Sequence, residues 1–424
     1  MDGSTPGGNG RFRTRMRAVL VDVSPLRSDP GFRQLWLGQV GSGLGRETAR
    51  VLLPLHVYLI TESAFMLGVV ALAQLIPSLL FSLSGGALAD AFDRRALMIW
   101  AQVGQALTTL VLLGASLLPE PPVAIIVGCA AIISTLFTVE HPSRTSAVPR
   151  LVPRERLSSA IALQSLNFQV SALVGPALAG ILIAFVDVSA AYGLQALAYV
   201  VGAAATTRMP KLPSSATVTR AGVAAVVEGL RFLRGQKVIT AAIALDLNAM
   251  IFGLPIAVFP VLAIEVFGVG PAEVGFLAAA RGAGAFLAAF VSGWVRSIRR
   301  TGLAVINAVA AYSIITIVLG VGGIPYVVAL VLVGLAGAAD LLSAVLRNTI
   351  IQGVTTDELR GRMSAVHGLA TQSGPRLGDI RAATMTEWFG ASGAVAIGGV
   401  IALAGCGLLA RAFPAFRRYR HDDH

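Results

Sequence analysis

Two long apolar segments of this chain carry the same small-residue signature. Gly175-Pro176-Ala177-Leu178-Ala179-Gly180 in the first half returns as Gly374-Pro375-Arg376-Leu377-Gly378-Asp379 in the second, and the copy has gained charge where a bilayer opposes it. Other pairs keep nearly the same offset: Gly68 with Gly275, Gln74 with Arg281, Gly86 with Gly293, Arg144 with Arg347, and Glu155 with Glu358. One duplication of a six-helix unit accounts for them all. Parallel repeats of this kind build membrane proteins whose ligand site lies between the halves, near mid-membrane.

The rest of the chain obeys the same constraint. Of its 424 residues 55% are hydrophobic and only 13% charged, whereas a soluble domain carries about 25% charge. Twelve apolar stretches are expected, at 32–60, 66–89, 96–118, 122–146, 157–186, 189–208, 238–266, 272–297, 302–321, 324–347, 362–387 and 392–411. Each is near the roughly 20 residues a helix needs to cross a core about 30 Å thick. The stretches are continuously apolar, which favours helices over the short alternating strands of a membrane barrel. The expected fold is an all-α membrane protein of twelve transmembrane helices in two pseudo-symmetric six-helix bundles, 32–208 and 238–411. A tail at 1–31, a linker at 209–237 and a second tail at 412–424 complete the chain.

Basic residues set the orientation. All but five of the 33 Lys and Arg fall in the tails, in the even-to-odd connections or at the span ends bordering them; the five are Arg46, Arg50, Arg281, Arg376 and Arg381. Connections around Glu62, Glu120, Asp187, Glu265 and Glu387 hold none. The positive-inside rule then puts both termini in the cytoplasm, in a plasma (inner) membrane, and requires an even number of crossings. The net charge of +11 is read as topology and contact with anionic lipid, not as nucleic-acid binding. The first thirty residues lack an apolar core long enough for a secretory signal. In the linker, Val226 to Arg234 reads either as an interfacial amphipathic helix or as a plain tether.

Several chemistries find no residues to carry them. Lys211 and Lys237, the only lysines, follow no phosphate-loop spacing, so an internal ATPase is excluded. No nucleophile elbow or zinc helix occurs, so no enzyme and no catalytic residue is expected. Cys129 and Cys406 stand alone in mid-span, as small apolar packers, and no metal or cofactor is expected.

The sharpest local signature is Gly86-Ala87-Leu88-Ala89-Asp90-Ala91-Phe92-Asp93-Arg94-Arg95, between the second and third spans. It resembles the cytoplasmic loop motif of the major facilitator superfamily, and the Gly-Pro run of span five resembles that superfamily's antiporter motif. Ala91 stands where a basic residue is usual, Asp93 where Gly is usual, and Ala179 where the first of two glycines is usual. Phe32-Arg33-Gln34-Leu35-Trp36-Leu37-Gly38-Gln39, the Ala-Gln-Leu-Ile-Pro stretch ending at Pro77, and Pro149-Arg150-Leu151-Val152-Pro153 look like the drug and siderophore exporter branch, which includes the enterobactin exporter family. The resemblance implies a gating role for Gly86, Asp90, Arg94 and Arg95, with Arg144 as the candidate partner of Asp90; against it stands the reading of these charges as topogenic only. For Gly175, Pro176 and Gly180 it implies a seal on the outward side, and simple small-residue packing explains the same letters.

Ionisable residues at membrane depth cost roughly 2.5 to 3.5 kcal/mol each on insertion scales, so they normally face a cavity or a partner. Span one carries Arg46, Glu47 and Arg50, span seven Asp246 with Asn248, span eight Arg281, span ten Asp340, and span eleven Gln372, Arg376, Asp379 and Arg381. Glu47 with Arg50, and Arg376 with Asp379, share a helix face; Gln372, Arg376, Asp379 and Thr386 form one stripe, expected to face the cavity. Glu47, Asp246, Asp340 and Asp379 are candidate proton carriers, because a desolvated carboxyl group keeps its proton unless a cation opposes it. By sequence neighbours alone Asp246 and Asp340 lack such a cation; fixed ion pairing is the competing reading for each acid. Arginine keeps its proton at cellular pH and binds carboxylates, catecholates and phosphates well, so Arg46, Arg50, Arg281, Arg376 and Arg381, with Asn248 and Gln372, suggest an anionic or zwitterionic substrate. The expected function is proton-coupled export of a small organic compound, a siderophore among the candidates, by alternating access in a monomer whose partners are substrate, protons and membrane lipid. Multidrug efflux, lysophospholipid flipping, import on the same scaffold and a non-transporting receptor remain open.

Overall fold

The computed structural model describes residues 22–213, 228, 231, 233, 235–291, 298–355 and 357–420, with backbone alone at 82–91, 291, 357–362, 364 and 365. Among the described residues ten segments are long and apolar enough to cross a membrane by length and composition. The long helices are α1 Pro30–Thr61, α2 Ala64–Ala91, α3 Arg94–Ser116, α4 Val123–Leu151, α5 Leu157–Phe185, α6 Val188–Thr207, α7 Lys237–Phe252, α8 Ala272–Val291, α9 Thr301–Val321, α10 Tyr326–Val354 and α11 Asp357–Ala412. The ten omit α1, whose 32 residues reach about 48 Å but hold Arg46, Glu47 and Arg50. They also count Val366–Ala412 once, although it turns back on itself. Gly390 sits at φ 70, in the left-handed region that glycine enters freely, and Arg381 Nη1 donates to the Ala394 carbonyl at 3.0 Å. Thirteen residues of straight helix would hold those groups about 20 Å apart. Of the proposed amphipathic segment of the linker only residues 228, 231 and 233 are described, and Gly293 and Arg296 of the motif copy lie outside the described residues.

The helices bury polarity and expose grease. On α3 the inward face carries Gln102, Gln105 and Thr109, while Trp100, Leu107 and Val111 point outward, Trp100 being 75% exposed. Gln102 donates to Glu140 at 3.0 Å and accepts from Thr206 at 3.0 Å, and Gln195 donates to Thr109 at 3.2 Å. In a medium without water, polar groups must find each other inside the bundle, which is why the inward face is the polar one. Cys129 and Cys406 are buried and free.

Packing repeats as the sequence does. In the first half α1 packs on α5 and α6, α2 on α4, and α3 on α4 and α6; in the second α7 packs on α11, α8 on α10, and α9 on α10 and α11. Backbones approach closely where side chains are small: a Cβ built on Gly41 of α1 would lie 2.4 Å from the Ala198 carbonyl oxygen of α6. Gly175 rests on α1 at Leu44, Glu47 and Thr48, and its counterpart Gly374 rests on α7 at Leu247 and Met250. Two helix pairs join the halves, α5 with α8 and α2 with α11. In the first, a Cβ on Gly275 would lie 2.5 Å from the Pro176 carbonyl oxygen and 2.7 Å from the Gly180 Cα; in the second, its counterpart Gly68 faces Ala383 and Ile380. The Gly-Pro run thus serves both packing within a half and contact between halves.

Candidate functional site

The α7 segment is the irregular element of the site. Regular helix stops at Phe252, and Gly253 to Val266 continues through a 3-10 turn, one α turn and a π turn, with Pro255 and Pro260 removing two backbone donors. The freed backbone groups take side-chain partners. Tyr312 Oη accepts from the Leu254 N–H at 2.9 Å, Arg281 donates to the Leu254 carbonyl at 3.2 Å, and Asp379 accepts from the Ala257 N–H at 3.3 Å. Arg381 donates to the carbonyls of Ile251 at 3.1 Å and Gly253 at 3.2 Å. A broken helix buried in protein is stable only with such substitutes.

Between the halves lies a small cavity of about 10 Å³, lined by Arg50 and Pro54 of α1, Gln74 of α2, Ala257, and Arg376 and Asp379 of α11, among others. That volume holds about one water. The sequence reading brings Arg50, Arg376 and Asp379 together at the meeting point of both repeats. Arg376 makes no hydrogen bond or ion pair among the described residues, and Asp379 has the Ala257 N–H as its partner. Gln372 lies one turn from Arg376, half-buried, and is not part of the lining.

Several expectations are corrected by the contacts. Asp246 and Asp340 do not lack a cation. Arg347 of α10 pairs with Asp246, both almost fully buried, and Arg281 holds Asp340 at 3.1 Å. Glu47 is bracketed by Arg46 at 3.0 Å and Arg50 at 3.7 Å, as their spacing implies. Arg144 pairs with Glu140 one turn away at 3.4 Å; the Asp90 side chain lies outside the described residues, as do the surroundings of Gly86, so the proposed latch is not seen. Arg94 donates to Ser146 at 3.0 Å and the Pro213 carbonyl at 3.3 Å, and Arg95 to the Thr207 carbonyl. Asn248 is turned away from the cavity and donates to the Ala402 carbonyl at 2.8 Å, tying α7 to the far arm of α11. Arg281 and Arg381 are committed to the broken α7 backbone. Of the five arginines expected at cavity depth, Arg376 is the one whose guanidinium has no partner among the described residues.

Sequence reasoning missed an aromatic clamp. Arg46 lies over the rings of Phe137 at 5.0 Å and Phe168 at 5.4 Å, within the distance at which the ring quadrupole attracts a cation. Arg46 and Arg50 are four apart on α1 and share its face, and Phe168 is 47% exposed. Phenylalanine in an apolar span carries no signal of its own; only the arginine's need for a partner points to it.

At the end of the bundle where α1 finishes, Tyr58 donates to Glu265, joining the halves beside the Gly180–Gly275 and Gly68–Ala383 contacts. Removing one hydroxyl by Tyr58→Phe is expected to loosen this closure by about 0.5 to 1.5 kcal/mol, up to roughly tenfold in its equilibrium. Faster labelling of an Ala71→Cys reporter in the cavity by a membrane-impermeant thiol reagent would register it; an unchanged rate would mean the bond does not hold the closure.

A family model described as transmembrane secretion effector matches residues 21–420. The chain belongs to this family of the major facilitator superfamily. The chain is therefore a multi-pass membrane transporter and not an enzyme. It is similar to the enterobactin exporter EntS of Salmonella typhi, 24% identical over 366 residues that cover 85% of this chain and 86% of the relative. It is 26% identical over 362 residues to the enterobactin exporter EntS of Escherichia coli O1:K1, with the same coverage. Among solved structures, a D-xylose–proton symporter superposes with a TM-score of 0.73 at 15% identity, over 90% of this chain and 97% of its own. The human organic anion transporter MFSD10 (TETRAN) gives 0.62 at 15% identity, over 90% and 99%. At such identities these two likenesses establish the fold of this chain and no more.

Proposed function

We propose that this transporter exports a small aromatic organic anion, a catecholate siderophore being one fitting class, by rocking residues 32–208 against 238–411. Twelve crossings follow if α1 and the two arms of α11 each span the bilayer, with both termini on the cytoplasmic side of the inner membrane and one chain as the working unit. The single observation that carries the reading is Arg376: a guanidinium without a partner among the described residues, at the cavity between the halves, with Arg50 beside it. The ring-flanked Arg46 on the same face of α1 offers flat surfaces next to positive charge. The relatives named enterobactin exporters support the outward direction.

Protons are the proposed coupling ion. Glu47, Asp246, Asp340 and Asp379 are the four candidate carriers, and the contacts favour Asp379, the one of them without an arginine within ion-pair distance. One charge moving down 100 mV releases about 2.3 kcal/mol and one pH unit about 1.36 kcal/mol. Together they sustain a gradient of a few hundredfold per proton for a neutral substrate, and an anion leaving a negative interior gains the electrical part itself.

In proteoliposomes Arg376→Ala is expected to slow export of a catechol carboxylate by about tenfold to a hundredfold, the worth of one charge-assisted hydrogen bond. Uptake of a neutral aromatic probe should change little. Equal losses for both probes would remove the anion reading. Asp379→Asn should abolish substrate-driven proton movement while substrate binding persists; proton movement at the wild-type rate would shift the carrier role elsewhere.

A further inference from the structure

The two repeats treat the segment that follows their last helix in the same way, and the comparison exposes one position where an anion is missing. After α6, the stretch Arg208–Pro213 turns back onto the start of α3: Arg94 N–H donates to the Leu212 carbonyl at 3.1 Å. After α11, the short helix Pro414–Arg418 and Tyr419 turn back onto the start of α9: the Gly302 N–H donates to the Tyr419 carbonyl at 3.4 Å, and Phe416 is buried there. At the N-cap of α3, Asp93 accepts from the Ala96 N–H at 3.0 Å and from the Leu212 N–H at 3.1 Å. The neighbouring cations are also satisfied, since Arg94 and Arg150 both donate to the Pro213 carbonyl, the latter at 2.8 Å.

The second copy has reversed the charge. Arg300 stands at the N-cap of α9, at the spacing that relates Gly86 to Gly293, and its side chain caps nothing. Around it opens a cleft of about 500 Å³ lined by Arg300, Leu303, Arg417, Arg418 and Arg420. None of these four guanidinium groups makes a hydrogen bond or ion pair among the described residues. Four exposed like charges share one cleft beside a helix start whose backbone N–H groups are positive as well, an arrangement that favours a multidentate anion between them. A phosphodiester has the right chemistry, with oxygens that take guanidinium forks in pairs. The source follows from the position. From Leu303 onward α9 is apolar and crosses the bilayer region, so a phosphate in this cleft has acyl chains able to lie along the helix, as an anionic phospholipid provides and free phosphate does not.

We infer that the Arg300–Arg417–Arg418–Arg420 cleft binds the phosphodiester headgroup of an anionic phospholipid, which replaces in the second repeat the carboxylate that Asp93 supplies in the first. This inference is independent of the transported substrate.

The test uses the full chain in detergent, titrated with phosphatidylglycerol or phosphatidylcholine and read by native mass spectrometry and thermal melting. Wild type should retain phosphatidylglycerol at least tenfold better than phosphatidylcholine and melt higher with it. Each arginine removed should cost about fivefold, so Arg417→Gln/Arg418→Gln/Arg420→Gln should lose about a hundredfold. A charge-matched control, Arg33→Gln/Arg154→Gln/Arg208→Gln, removes exposed arginines elsewhere and should bind like wild type. Equal retention of the two lipids, or an equal loss in the control, would overturn the assignment. Displacement of the lipid by equimolar inorganic phosphate would make the cleft a site for soluble anion instead. Lipid binding seen only after Asp422→Asn/Asp423→Asn would hand it to the chain's own acidic tail.

Discussion

Asp246→Ala is expected to destabilise the transporter by about 3 to 5 kcal/mol, enough to lower its yield of folded protein severalfold. The cause is what the substitution leaves behind. Arg347 is 3% exposed and donates to both Asp246 and Ser343, so removing the carboxylate strands a guanidinium in the packed seam between α7 and α10. Replacing both partners by apolar residues of similar volume, as in Asp246→Leu/Arg347→Met, should restore most of the loss, because it removes the desolvation cost along with the attraction. Thermal unfolding of the purified variants measures this. A single variant within about 1 kcal/mol of wild type would mean that water reaches the pair, and a double variant no better than the single would mean that the site needs its charge for folding.

Gly275→Val is expected to cut transport at least tenfold without unfolding the protein. The added methyl groups have no room, because even a Cβ would press on the Pro176 carbonyl and the Gly180 Cα, which are backbone atoms unable to turn aside. Overpacking of this sort costs about 1 to 3 kcal/mol, and in a carrier with two states it falls on the state that closes α5 against α8, shifting the balance by up to roughly a hundredfold. The Ala71→Cys reporter should then label faster in the Gly275→Val background. Gly128→Val is the control, since nothing lies within 4 Å of a Cβ there. Normal transport and labelling in Gly275→Val would show that the seam gives way freely and that the wedge has no bearing on the cycle.

Those two sites also show what a sequence can and cannot reveal. Close packing at the Gly-Pro run was legible, but its partner helix α8 was not. A repeat of small residues in apolar helices has few physical explanations other than close packing, and the pairs Gly68–Gly275 and Gly175–Gly374 take equivalent places in the two halves. The Asp246–Arg347 and Arg281–Asp340 pairs were not. Charges three or four apart on one helix can be matched by spacing, as Glu47 and Arg50 are, but partners on different helices are brought together by packing that spacing does not encode. The interruption of α7 was likewise hidden within a continuously apolar run, because Gly253, Pro255 and Pro260 tell of a bend and not of which side chains will serve its exposed backbone. Asn248, expected at the substrate cavity, bonds the Ala402 carbonyl for the same reason: polarity at membrane depth marks a need for a partner, and a carbonyl on a neighbouring helix meets that need as well as a substrate does.

The ion pairs described above all join residues of the same half, whereas the closest α5–α8 and α2–α11 approaches described above are made by glycine, alanine and backbone atoms. Parting such surfaces exposes little that craves solvation. The energetic consequence is that separating α5 from α8 and α2 from α11 breaks none of those ion pairs, so each half keeps its own electrostatic ties when the contact between them loosens.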